Sequence, residues 1–246
     1  MWSLNCQKRA NYGRLTKAIN GRSSKNRIMV KRKSTVPAVQ DHYSPQQERI
    51  GLDRLIFFSD AVFAIAITVL VLDIHLPAGG DIADNHQLLL MLTGLWPKYF
   101  AYILSFWVIG LYWISHHRKF LIIKRFDNRL LRLNLLLLMV IAFIPFPTAV
   151  MSENGNRTAT IFYSLIMAFG GLLVFSLWWH AVRNHNLIDA HLDRQFIRRE
   201  VAAPLATVGI FILSIGIAFF NENLVRLCWM FLIPVSLYLN SRRAAA

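Results

Sequence analysis

Six apolar runs decide what this chain can fold into. A hydrocarbon core about 30 Å thick needs roughly 20 apolar residues as helix. Runs of that order occur at Leu55–Leu76, Tyr99–Ile114, Leu130–Met151, Ala159–Val182, Val201–Phe220 and Leu224–Leu239. The second is preceded by Gln87–Trp96, which reads as an amphipathic lead-in, and the sixth is as short as the second. No water reaches the lipid interior to satisfy open backbone, so such runs span as helices. The expected fold is therefore an all-α integral membrane protein with six transmembrane helices. With 55% hydrophobic and 16% charged residues, the chain lacks the polar surface of a soluble domain.

The positive charge reports orientation. Of 27 Lys and Arg residues, twelve precede residue 55, six lie in 118–132, four in 183–199 and two in the C-terminal tail. Lys98, Arg157 and Arg226 are left for the opposite side. Positive residues favour the cytoplasm. Six spans with both termini cytoplasmic therefore fit the counts, whereas five or seven would scramble them.

Three segments follow: a basic tail at 1–48, a transmembrane domain at 49–240 and a short tail at 241–246. The first 44 residues hold ten Lys or Arg and one acid, without a secretory apolar core. This tail reads as disordered and solvated, with contact to anionic membrane lipid as the functional alternative. No nucleic-acid reader module accompanies the charge. Cys6 and Cys228 form neither a disulfide framework nor a zinc spacing.

Ionisable residues within a span are costly and draw attention first, here Asp60 and Asp73. Ile65, Thr68 and Leu72 fall within an arc of roughly 60° on a helix. Asp60 points about 140° from Ile65, towards the subunit's own bundle if the stripe faces a symmetry axis, and Asp73 stands about 80° from the stripe. Arg54 and Phe58 return near the stripe at the cytoplasmic end. By periodicity alone, such a stripe is ordinary helix packing more often than a pore lining.

Trp113 and His117 share a helix face and could reach Asp60. His116 and His117 diverge by about 100°, so they cannot both face one metal ion from one helix. Asn134 is expected to bond across helices. Pro145, Pro147, Pro204 and Pro234 disturb backbone bonding, with Pro204 expected to open the fifth span. Gly170, Gly171, Gly209 and Gly216 are expected to permit close helix contacts. The sequence contains no GxxxxGK[ST], GxSxG, HExxH or GxGxxG, and no TVGYG filter. It does not read as an enzyme, and no cofactor is expected.

Arg54-Leu-Ile-Phe-Phe58-Ser59-Asp60, an RxxxFSD pattern abutting Ala61–Leu72, resembles the bacterial relatives of the endolysosomal potassium channel transmembrane protein 175. A fainter likeness continues through Tyr112–His117 and Asn134 to Pro145-Phe146-Pro147. The resemblance implies a homotetramer of six-helix subunits in the cell membrane, with four first helices lining a central pore. It puts a hydrophobic gate at Ile65, the next pore-facing layer at Thr68 and an outer apolar layer at Leu72. Arg54, Phe58, Ser59 and Asp60 would form a network supporting the pore helix, partnered by Trp113 and a histidine, taken as His117.

A ring of isoleucines would close or dewet, and a small widening would admit a partly hydrated monovalent cation. Potassium over sodium is expected with modest selectivity, and rubidium and caesium as further permeant ions. Four Asp73 carboxylates at an outer pore mouth would concentrate cations. The alternative is a proton-coupled or proton-leak carrier using Asp60 and His117 as relay.

Overall fold

The computed structural model describes residues 45–76, 84–184, 187–188, 194–232, 234 and 236. Residues 1–44 of the basic tail, the 241–246 tail and positions 233, 235 and 237–239 of the sixth run lie outside the described residues. Within them, every regular element is helical: α1 (Pro45–Val69), continued by a 3-10 turn at Leu70–Asp73, α2 (Asn85–Gly94), α3 (Trp96–Ile122), α4 (Asn128–Phe143), α5 (Pro145–Asn154), α6 (Arg157–Arg183), α7 (Arg194–Ala218) and α8 (Glu222–Met230). Five helical stretches are long and apolar enough to cross a membrane: 46–73, 96–122, 128–154, 157–183 and 196–218. α2 buries no residue and is separate from α3, so the lead-in is its own short helix.

Local chemistry sets the boundaries. The Asp127 carboxylate caps α4 by accepting the Leu130 N–H at 2.7 Å, and Asn156 caps α6 through the Ala159 N–H at 2.9 Å. Gly155 ends α5 at φ +56°, a left-handed conformation that glycine adopts without a Cβ penalty. Pro145 has no N–H for the Ile141 carbonyl, but the Ile144 N–H meets that oxygen at 3.2 Å. α4 and α5 thus form one span with a break in its ladder. Pro204 does not open a helix: α7 begins at Arg194, leaving Pro204 in its interior.

α6 packs most extensively on α7, while α1 packs on α4 and α3. A Cβ at Gly171 would stand 2.6 Å from Val208 Cγ2, and one at Gly170 would stand 3.1 Å from the Tyr112 ring. Among the described residues of one subunit, Gly209 and Gly216 have nothing within 4 Å of such an atom, so they make no close helix contact there. The hydroxyls of Ser105, Thr148 and Tyr163 join α3, α5 and α6, with Ser105 Oγ 2.8 Å from Thr148 Oγ1 and 3.0 Å from Tyr163 Oη. Lys119 is wholly buried, hydrogen-bonded to Ser115 Oγ, 4.0 Å from the Glu200 carboxylate and 5.9 Å above the Trp178 ring. Lys119, which by sequence falls in the 118–132 connection, is a core contact between α3 and α7.

Candidate pore-lining site

α1 divides cleanly into two faces. Leu52, Leu55, Ser59, Phe63, Ala66 and Leu70 are buried at helical spacing, turned towards the subunit's own bundle. The other face has no cover within the subunit: Phe58, Ile65, Thr68 and Leu72 are exposed, Ile65 by 62% and Leu72 by 73%. Only 28% of the most apolar stretch of this span is buried, against 56% in the span at 157–183. A single subunit therefore leaves the Ile65 stripe open. Thr68 Oγ1 donates to the Ile65 carbonyl at 2.9 Å, which fixes its proton and leaves the oxygen lone pairs for another partner.

Behind that face, polar bonds hold α1 in register. Ser59 donates to the Leu55 carbonyl at 2.8 Å and accepts from Asn134 Nδ2 of α4 at 2.9 Å. Asn134 Oδ1 lies 2.8 Å from His116 Nε2 of α3. Ser59 and Asn134 are completely buried, and the His116 ring sits between Phe63 and Phe120. Beside this line, the Trp113 indole N–H donates to Asp60 Oδ1 at 2.9 Å. His117 stacks on Trp113 with ring centroids 5.5 Å apart.

The histidine bonded into the buried network is therefore His116, while His117 braces Trp113 from outside it. The choice turns on which of two adjacent positions faces α4, and spacing along α3 alone leaves that undecided. Arg54 is exposed and has no partner among the described residues, so within the subunit it stays out of the network. It lies within about 20° of Ile65 on the helical wheel, on the uncovered face.

Asp73 is drawn into its own subunit. Its Oδ2 lies 3.0 Å from Ser152 Oγ of α5, whose one proton it shares with the Ala149 carbonyl at 2.9 Å, and its carbonyl accepts from Lys98 Nζ of α3 at 3.1 Å. One carboxylate oxygen is thus committed away from the stripe, against the outer-mouth orientation expected from sequence. At the opposite end, Glu48 pairs with Arg125 at 3.2 Å, and a Cβ at Gly51 would stand 2.8 Å from the Phe126 ring. Among the described residues, no group of three His, Cys, Asp or Glu side chains is arranged to hold a metal ion.

A family described as "Endosomal/lysosomal potassium channel TMEM175" matches residues 54–145, the segment carrying every member of the α1–α3–α4 network. A potassium channel of Streptomyces collinus is 40% identical over 178 residues, covering 70% of this chain and 84% of that one. The crystal structure of a lysosomal potassium-selective channel TMEM175 homolog from Chamaesiphon minutus superposes with a TM-score of 0.66. It is 32% identical, covering 78% of this chain and 98% of the homolog. The endosomal/lysosomal proton channel TMEM175 of Gallus gallus is 30% identical over 184 residues, which are 70% of this chain but 36% of that protein. Identity at these levels over most of two bacterial proteins, with the solved fold in common, makes this chain a member of the TMEM175 family.

Proposed function

We propose that this chain assembles as a homotetramer in the cell membrane, both termini cytoplasmic, and conducts potassium through a central pore lined by four copies of α1. The uncovered stripe of Phe58, Ile65, Thr68 and Leu72 carries the reading. Lipid tolerates a terminal arginine such as Arg54, which snorkels to the interface, and a threonine bonded to its own helix, as Thr68 is. A pore, however, gives the guanidinium and the hydroxyl lone pairs of this stripe water or an ion to meet. The bacterial relatives named as potassium channels support the choice of ion.

In this reading, four Ile65 side chains form the gate. An apolar ring of small radius expels water, and an ion that cannot keep its hydration shell does not pass; slight widening rewets the constriction. Thr68, one turn outward, offers four hydroxyl oxygens to a partly dehydrated cation. Such dipoles are fewer and weaker than a carbonyl cage, so potassium is preferred over sodium modestly and rubidium and caesium pass. Ser59, Asp60, Trp113, His116 and Asn134 act behind the pore wall as positioning residues.

The animal relatives named as proton channels favour proton passage as a second reading, for which Asp60 and His117 are the candidate relay. The intervening group argues for a brace instead, because an indole N–H donates but has no lone pair with which to receive a proton. A channel keeps its potassium current in a folded Asp60→Asn variant, whereas a relay loses its proton dependence.

The deciding experiment is potassium flux from liposomes containing purified protein, comparing wild type with Ile65→Asn and including sodium and N-methylglucamine. The expected result is cation flux that rises in Ile65→Asn while N-methylglucamine stays excluded. Absence of potassium flux from both, with folded tetramers verified, would overturn the channel reading.

A further inference from the structure

Between the N-terminal end of α4 and the C-terminal end of α6 lies an open groove of about 750 Å³, on the side where the sequence concentrates Lys and Arg. Arg129 and Leu133 line it from α4; Phe175, Trp179 and Arg183 line it from α6. Asp127, beside the groove, is bonded to two of its lining residues, His180 and Asn184. It caps Leu130 and accepts from His180 Nε2 at 2.9 Å and Asn184 Nδ2 at 3.4 Å. Neither Arg129 nor Arg183 is paired with an acid among the described residues. The Arg183 guanidinium instead lies 5.7 Å from the Trp179 ring centroid, and Trp179 stacks on Phe175 at 5.8 Å.

These side chains are graded by depth. Successive positions Arg183, Trp179 and Phe175 are each about 6 Å apart along α6, and Arg129 and Leu133 are equally spaced on α4. The groove thus runs from two guanidiniums that no described acid pairs, through an amphipathic indole, to an apolar wall. A phospholipid presents the same sequence of chemistry: phosphate, glycerol and ester, then acyl chain. Guanidinium matches phosphate oxygens with paired N–H donors, and basic pockets between helices on the cytoplasmic side favour anionic headgroups. An acidic soluble partner would leave Leu133 and Phe175 unused.

We propose that each subunit holds one anionic phospholipid in this groove, its phosphate between Arg129 and Arg183 and an acyl chain along Leu133 and Phe175. The test is native mass spectrometry of the full-length protein in detergent with phosphatidylglycerol, with phosphatidylcholine, and with glycerol 3-phosphate as competitor. Wild type should retain one phosphatidylglycerol per subunit in preference to phosphatidylcholine. The double variant Arg129→Gln/Arg183→Gln should lose that preference by roughly tenfold or more. Arg132→Gln should keep it, since Arg132 is exposed on the same helix but lies outside the groove lining. The single variants, each checked for assembly by size-exclusion chromatography, carry the test if the double variant does not assemble.

Equal loss in Arg132→Gln would mean diffuse charge attraction. Equal retention of phosphatidylcholine, or displacement by glycerol 3-phosphate at the concentration at which the lipid binds, would mean no lipid-specific site. Each of these outcomes overturns the proposal.

Discussion

Replacing Asn134 by leucine tests whether the buried polar line sets the position of α1. The side chain is fully buried and bonds Ser59 Oγ on one side and His116 Nε2 on the other. Ser59 retains its bond to the Leu55 carbonyl after the change, so it loses an acceptor role alone. His116 fares worse, because its Nδ1 already has no bonded partner and both ring nitrogens would then be stranded. Interhelical hydrogen bonds in membranes average about 0.6 kcal/mol, giving about 1 kcal/mol for the two. A stranded buried polar group adds about 1–3 kcal/mol, so Asn134→Leu should cost about 2–4 kcal/mol.

Reversible unfolding in bicelles, read by steric trapping, has the resolution required. The double variant His116→Phe/Asn134→Leu removes both partners and should recover more than half of that loss, since an apolar pair strands nothing except the Ser59 lone pair. A change below about 0.5 kcal/mol in Asn134→Leu, or no recovery in the double variant, would refute the reasoning.

Gly171→Ala should destabilise the protein by about 1–3 kcal/mol, because its Cβ would meet Val208 at 2.6 Å, whereas Gly209→Ala should be close to neutral; thermal melts of the two compare them directly. Thr68→Val, nearly unchanged in shape, should lower the potassium-to-sodium permeability ratio towards one without raising organic-cation leak, read from reversal potentials under bi-ionic conditions. Burial pushes the Asp127 carboxyl up, but the Leu130 N–H, His180 and Asn184 outweigh it and hold it below the usual carboxylate range. A lowered value means stability that is fully present above the unfolded carboxylate pKa and lost as pH falls through the folded one. Acid titration of melting temperature should therefore show a shallower loss in Asp127→Asn than in wild type.

Spacing alone carried some features of this protein and could not carry others. The two faces of α1 follow from a 3.6-residue period, as does the stacking of Trp113 on His117, since both are properties of any helix. The selection of His116 for the buried line depends on which side of α3 meets α4, a tertiary fact. Asp73 illustrates the same limit: its angle from Ile65 assumes a regular helix, but the chain tightens into a 3-10 turn from Leu70, and Ser152 then draws the carboxylate inward. Pro204 was misleading because proline marks helix starts as a statistical preference, while α7 tolerates it ten residues in. Glycine likewise reports permission for close approach without naming the neighbour, and Gly209 and Gly216 have none among the described residues of one subunit.

The fastenings of α1 bear on how a gate at Ile65 would move. Glu48 and Phe126 grip its start, Ser59 and Asp60 are bonded at its middle, and Asp73 is bonded through both its carbonyl and its carboxylate at its end. Ile65 lies between the second and third of these, in roughly 20 Å of chain. There, contact with the subunit is apolar, through Phe63, Ala66 and Leu70. Apolar contact has no direction, so this stretch can roll against its neighbours without breaking a bond. Mechanically, α1 resembles a beam held at three supports, which oppose a rigid swing more than a bow or twist between them. In the proposed tetramer, dilation at Ile65 would then come with fixed ends, and the two mouths of the pore would keep their width while its waist changes.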